Sequence, residues 1–295
     1  MKFRAGVPIA LACLLVAALQ LSAKGSTRDA WSVEWEPAQL VNGSPVLFRV
    51  TAPAALGSLR GTWSGRELAF RFSQACNCWY AIAGIGLNSR AGKHPLRLEG
   101  SGKNNVNVSF TREVTVSEKR YPETSLSVAP EYVQPPQDVQ ARIAKEEALK
   151  KRLFSEPSQE ALWSGRFGSP VESSVSGGFG SARIYNGVKK RQHEGLDFHA
   201  AIGTIVRASN RGTVILARNL YFEGNCVVLD HGQGLLTLYF HLSEIKVKEG
   251  DQVERSQVLG SSGNTGRVTA PHLHFAVRWQ GLYLDPETLL QLGPP

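Results

Sequence analysis

Six of the seven histidines lie beyond Trp163, and their spacing directs attention to a few short segments. In His193-Glu194-Gly195-Leu196-Asp197 an imidazole and a carboxylate stand four residues apart, so an extended chain turns both to the same side. His272 and His274 flank Leu273, which places two imidazoles on one face of a strand while Leu273 and Phe275 turn into apolar surroundings. Between them, Thr237-Leu238-Tyr239-Phe240-His241 predicts Leu238 and Phe240 on a buried face and Thr237, Tyr239 and His241 on the opposite one. Three separated strands can therefore bring four imidazoles and one carboxylate together. That donor set suits Zn²⁺, and a site with three protein ligands leaves the fourth tetrahedral position to water. A bound ion of this kind lowers the pKa of its water from about 15.7 toward about 7, and that water is the expected nucleophile. Two further imidazoles could accept its proton and stabilise the oxyanion formed as it attacks a carbonyl. The chemistry is hydrolysis of an amide. His199, after the Asp197 segment, and His231, in the Asp230-His231-Gly232 turn, are left outside this set, and Glu194 reads as a solvated loop carboxylate.

The elements that must position these residues are β-strands. Beyond Trp163 the texture is short apolar runs punctuated by glycine, at 204–206, 213–216, 226–229, 235–241, 257–259 and 272–277, which predicts a compact antiparallel β domain. From 31 to 116 the pattern also alternates with period two, as in Val46, Phe48 and Val50 or Leu68, Phe70 and Phe72. Asn42-Gly43 and Ser64-Gly65 mark turns, and the expected fold is an immunoglobulin-like sandwich. It holds no catalytic constellation, and its histidine, His94, reads as a solvated turn residue. Residues 117–136 shift to Pro, Glu, Ser and Lys and read as a linker. A solvated helix capped by Asp138 follows to about Phe154, with Glu146 and Lys150 paired across one turn. The predicted organisation is all-β: a leader over 1–23, a β sandwich over 24–118, a Pro-rich linker and helix over 119–162, and the histidine-bearing domain over 163–295.

Composition narrows the function classes. With 42% hydrophobic and 20% charged residues the 295-residue chain is neither a disordered polyelectrolyte nor a multi-span membrane protein. A net charge of +8 favours anionic surfaces, yet no arginine stripe interleaved with aromatics is present, so nucleic acid is not an expected partner. Lys2 and Arg4, the apolar run at 7–21 and the small Ala23 read as an export signal cut after Ala23, or, uncut, as a membrane tether. Cys76 and Cys78 flank a single residue, a spacing too tight for an easy bridge within one strand, and no second cysteine pair supports a cysteine zinc site.

At these residues the chain resembles the lysostaphin-type zinc metallopeptidases, which cut the peptide cross-links of bacterial peptidoglycan. The resemblance rests on HEGLD (193–197), DHGQGLLTLYFHLS (230–243), GDQVERSQVLG (250–260) and SGNTGRVTAPHLHF (262–275), and covers about 163–292. It implies His193, Asp197 and His274 as zinc ligands, with His241 and His272 polarising water and stabilising the transition state. The order of an N-terminal β domain, a Pro-Pro linker helix and a peptidase domain is similar to that of some members. Ser256, Ala270 and Ala276 depart from residues common in the family, and these departures bear on the shape of the substrate groove. The implied function is an exported endopeptidase of the periplasm or cell envelope acting on peptidoglycan stem peptides. The competing reading is a non-catalytic, cell-wall-binding regulator of other hydrolases, which a missing ligand would signal; none is missing.

Overall fold

The alternating stretch at 31–116 folds into nine strands because every second side chain has apolar partners to bury. They are β1 (Ser32–Glu36), β2 (Leu40–Val41), β3 (Pro45–Thr51), β4 (Leu56–Trp63), β5 (Arg66–Ala69), β6 (Arg71–Ser73), β7 (Cys78–Gly84), β8 (Gly92–Gly102) and β9 (Asn107–Ser117). The computed structural model describes residues 30–294 except 54, 103–106 and 157, so the expected leader at 1–23 lies outside the described residues. The strands form two sheets, ordered β1-β3-β7-β6 and β2-β9-β8-β4-β5. The run through Leu68, Phe70 and Phe72, which reads as one strand, is divided. β5 pairs with β4 in one sheet and β6 with β7 in the other, and the chain crosses between sheets at the buried Phe70. His94 lies on β8, not in a turn, with its ring nitrogens near Ser64 Oγ and the Arg90 carbonyl.

Cys76 and Cys78, whose pairing the spacing leaves open, are joined in a disulfide. They do not share one extended strand. Asn77 between them has a φ of 49°, a left-handed turn that brings the two side chains to the same side.

The segment read as a linker is built into the second half. Its β10 (Glu123–Leu126) pairs in parallel with the strand Ala182–Tyr185 of the second half, and a 3₁₀ turn at Pro130–Tyr132 leads to helix α1 (Gln137–Ser155). Pro136, not Asp138, occupies the N-cap position, and Asp138 lies in the first turn. The expected Glu146 to Lys150 pairing is also replaced. Glu146 takes Arg142 at 2.6 Å and the Tyr221 amide at 2.8 Å, while Lys150 reaches Glu223 across to the sheet at 2.5 Å. Leu149, Leu153 and Phe154 meanwhile pack on Leu216, Cys226 and Leu238. Charges that interrupt the helix's apolar face are thus its docking contacts.

The second half continues with β11 (Val175–Gly177), β12 (Ala182–Tyr185), β13 (Lys189–Gln192), β14 (Leu196–Phe198), β15 (Ile205–Arg207), β16 (Gly212–Leu220), β17 (Gly224–Asp230), β18 (Leu235–Ile245), β19 (Gln252–Val253), β20 (Val258–Ser262), β21 (Leu273–Trp279), β22 (Leu282–Leu284) and helix α2 (Pro286–Gln291). Its main sheet runs β11-β14-β21-β18-β17-β16-β19 and is antiparallel throughout. One apolar core runs through both halves of the chain, joining Phe48, Trp63 and Leu96 to Trp163, Tyr239, Phe275 and Leu284. At the join, Arg71 donates to the Trp163 carbonyl at 2.9 Å, and a Cβ on Gly84 would lie 2.4 Å from Leu284 Cδ2, so the two halves touch backbone to side chain. Among the described residues no helix is long and apolar enough to cross a membrane.

Candidate metal centre

The pairing of β14 with β21 sets Asp197 directly opposite His274, and the pairing of β18 with β21 sets His274 directly opposite Phe240. Neighbouring residues Leu196, Phe198, Leu273 and Phe275 enter the shared core, so alternation turns Asp197 and His274 together onto the other face. His193 arrives from the loop after β13. His193, Asp197 and His274 each offer a ligand atom, all within 4.8 Å of one another. His193 Nε2 lies 3.0 Å from both Asp197 Oδ1 and His274 Nδ1, and His274 Nδ1 lies 2.8 Å from Asp197 Oδ1.

The surroundings fix which nitrogen each ring presents. His193 Nδ1 donates to the Gly178 carbonyl at 2.8 Å, leaving Nε2 for the cluster. The His274 ring stacks on Phe240 at 5.3 Å with a 13° interplanar angle. Asp197 is held from behind, because Arg183 of β12 donates to its Oδ2 while Oδ1 faces the rings. A Cβ on Gly195 would lie 2.5 Å from His274 Nε2 and 2.7 Å from the Phe275 carbonyl oxygen, so only glycine lets His274 occupy its place.

His241 and His272 complete the group. Their rings lie 4.9 Å apart, His241 lies 6.1 Å from the His274 ring, and His272 Nε2 is 3.7 Å from Asp197 Oδ1. Both use Nδ1 to donate to a carbonyl, Thr265 for His241 and Ala270 for His272, each at 2.8 Å, which leaves both Nε2 atoms as acceptors. Strict alternation places His241 with Thr237 and Tyr239, but the structure corrects this. His241 has a φ of 66° at a register break between β17 and β18, where its amide bonds the Glu223 carbonyl at 2.9 Å. The irregularity swings the ring to the face of Phe240 and His274.

Protonation states match a cation-binding role. Burial pushes His274 down to about 4, against the opposing pull of Asp197. Burial, with the neighbouring His272 and His274 rings, holds His241 well below the ordinary histidine value. Burial alone would raise Asp197, but its hydrogen bonds with His193 and His274 outweigh it, so the carboxyl sits well below the usual range. His274 and His241 are therefore held neutral beside an ionised Asp197, and neutral imidazole and carboxylate are the forms that ligate metals.

All five residues singled out by spacing are brought together. His199 is exposed and apart from them. His231, in the turn between β17 and β18, is fully buried, with Nδ1 2.7 Å from the Arg211 carbonyl and Nε2 2.7 Å from Thr237 Oγ1. Arg183, Gly195 and the carbonyls of Gly178, Thr265 and Ala270 escape a sequence reading, since each acts through backbone proximity or strand pairing.

Residues 191–286 match the model of peptidase family M23. This segment is a peptidase M23 domain within the longer chain. The peptidoglycan DD-endopeptidase ShyA of Vibrio cholerae is 45% identical over 115 residues, 38% of this chain and 27% of that protein. The DD-carboxypeptidase/endopeptidase Mpg of Neisseria meningitidis serogroup B is 42% identical over 96 residues, 32% of this chain and 22% of that protein. The matched segment thus spans about a quarter of the length of these curated relatives. A Pseudomonas aeruginosa crystal structure assigned to peptidase M23 matches more of the chain, with a TM-score of 0.65 and 28% identity over 85% of this chain and 95% of that one. The M23 segment contains His193, Asp197, His241, His272 and His274, the whole of the cluster built above.

Proposed function

We propose that the chain is an exported zinc-dependent endopeptidase that hydrolyses peptide cross-links of peptidoglycan in the periplasm or cell envelope. The observation that carries this reading is the convergence of His193, Asp197 and His274 to within 4.8 Å, with two more imidazoles facing them. The donors fit Zn²⁺. Two nitrogens and one oxygen suit it, and their separations of 2.8 to 3.0 Å approach the roughly 3.3 Å edge of a tetrahedron with bonds of about 2.0 Å. When bound there, the ion would supply Lewis acidity and a water acidified toward neutral pH.

The chain's own groups supply the rest. His193, Asp197 and His274 hold the ion, and Arg183 keeps Asp197 Oδ2 occupied so that Oδ1 is the oxygen presented. His241 and His272 each turn Nδ1 to a backbone carbonyl and leave Nε2 for the reaction, one able to take the proton of the attacking water and the other, once protonated, to face the oxygen of the scissile carbonyl. The peptidoglycan substrate is supported by the named activities of ShyA and Mpg. The bridged Cys76 and Cys78 fit an oxidising compartment outside the cytoplasm. The domain limits at 1–23, 24–118, 119–162 and 163–295 belong to the same proposal, the first half acting as a non-catalytic partner through its shared core.

The test is digestion of purified sacculi by the zinc-loaded full chain with mass spectrometry of the released fragments. Soluble cross-link cleavage products that disappear with His274→Ala are expected. Binding to sacculi with no release would instead make the chain a regulator, and faster cleavage of casein than of sacculi would make it a general peptidase.

A further inference from the structure

Strands β12 and β13 pair with Arg183 directly opposite Arg191, so both side chains stand on one face of the hairpin. Like charges placed directly across a strand pair are destabilising. Tyr185 follows Arg183 by two residues on the same face, and the guanidinium of Arg267 lies over its ring at 4.8 Å. Phe222 holds Arg267 from another side at 5.0 Å. Three guanidiniums therefore gather on one hairpin face, immediately before the ligand His193.

The acids in the neighbourhood do not balance them. Asp197 gives one oxygen to Arg183 and turns the other to the histidine cluster. Glu223 is within reach of Arg267's charge but is paired with Lys150 at 2.5 Å. Glu194, on the loop beyond β13, forms no ion pair with Arg191 among the described residues. Neither Arg191 nor Arg267 has a carboxylate partner among the described residues, and Arg267 is only partly exposed. Stacking fixes the plane of Arg267 and leaves its N–H edge free to donate.

We propose that Arg183, Arg191 and Arg267 form a subsite beside the metal centre that binds a free carboxylate of the substrate peptide. Planar guanidinium forks match a carboxylate with paired charge-assisted hydrogen bonds, which a bound amide cannot reproduce. The subsite lies on the β12–β13 side of the metal ligands, so it selects peptides with an acidic group on that side of the scissile bond. A C-terminal carboxylate and a side-chain carboxylate share this chemistry. This inference deepens the proposed function and takes its substrate class from it.

The test is isothermal titration of the zinc-loaded full chain with an uncross-linked stem peptide, verified by mass spectrometry to stay intact. The peptide is used in four forms: free, amidated at the C-terminus, amidated at the side chain, and amidated at both. The free form should bind about tenfold or more tightly than the doubly amidated one. The single amide that removes this advantage identifies which carboxylate is held. Arg191→Gln and Arg267→Gln should each erase most of the difference and raise KM for cross-linked peptide without lowering kcat. Arg207→Gln, on exposed β15, should leave the difference intact. Equal affinity of wild type for free and doubly amidated peptides would overturn the subsite, and this comparison needs no variant. Carboxylate-dependent binding by a chain that releases nothing from sacculi would remove the proposed function and leave the subsite standing.

Discussion

Gly195 is the position where one methyl group should report on the whole centre. In Gly195→Ala the new Cβ would lie 2.5 Å from His274 Cε1 and Nε2 and 2.7 Å from the Phe275 carbonyl oxygen. Ordinary contact begins near 3.4 Å. The Phe275 oxygen belongs to β21 at the heart of the sheet and cannot swing aside, so the His274 ring must give way and shift from its place beside Asp197. Overpacking of this kind costs about 1–3 kcal/mol. If the strain is relieved by displacing a ligand, zinc affinity falls about tenfold for each 1.4 kcal/mol, hence roughly five- to 140-fold. Two assays follow the two effects: urea unfolding of metal-stripped protein for the strain, and competition against a chromophoric chelator for the affinity. Unchanged zinc affinity in Gly195→Ala would refute the placement of His274 as a ligand held by close contact with this glycine.

Three further outcomes test other parts of the structure. His231 is pushed down to about 4 by burial, opposed by the Arg211 carbonyl, so the unfolded chain takes up its proton first as pH falls. The stability from its neutral ring is present above about 6.5 and is lost toward about 4, amounting to about 3 kcal/mol; urea unfolding at pH 7 and pH 4 should show a drop in wild type that exceeds the drop in His231→Gln by that order. Lys150→Ala leaves Glu223 without its cation in a largely buried position and should cost about 1–3 kcal/mol by the same assay, whereas a change below about 0.5 kcal/mol would show that helix α1 is not anchored by this pair. Leu284→Ala empties a fully buried contact against Gly84 and should cost about 2–5 kcal/mol in a single transition for the whole chain; two separate transitions in wild type would contradict the shared core.

The centre was legible because its donors are rare side chains at spacings that only a β-sheet makes useful. His272 and His274 straddle a buried leucine, and the partner strands of β21 bring Asp197 and Phe240 to register with His274. Alternation failed at His241, since a single left-handed residue reverses the face on which a side chain emerges, and no local composition announces it. The same limit hid the Cys76–Cys78 bridge, which depends on the turn at Asn77. The segment at 117–136 looked like a linker because its hydrophobic content is low, yet Glu123–Leu126 needs only backbone hydrogen bonds to join β12. Helix α2 is too short for periodicity to reveal. Its signal was the cap, Asp285 before Pro286, with the Asp285 side chain accepting from the Glu287 amide. Arg183 could not be found from spacing, because its tie to Asp197 is a tertiary contact between separate strands.

The most direct measurement is zinc K-edge absorption spectroscopy on the purified full chain, combined with metal content per chain. The account predicts one zinc per chain in a low-coordinate nitrogen and oxygen shell, with His274→Ala and Asp197→Ala each reducing the content to a small fraction. Full zinc occupancy with an unaltered spectrum in either variant would contradict it, because the ion would then be held by some other part of the molecule.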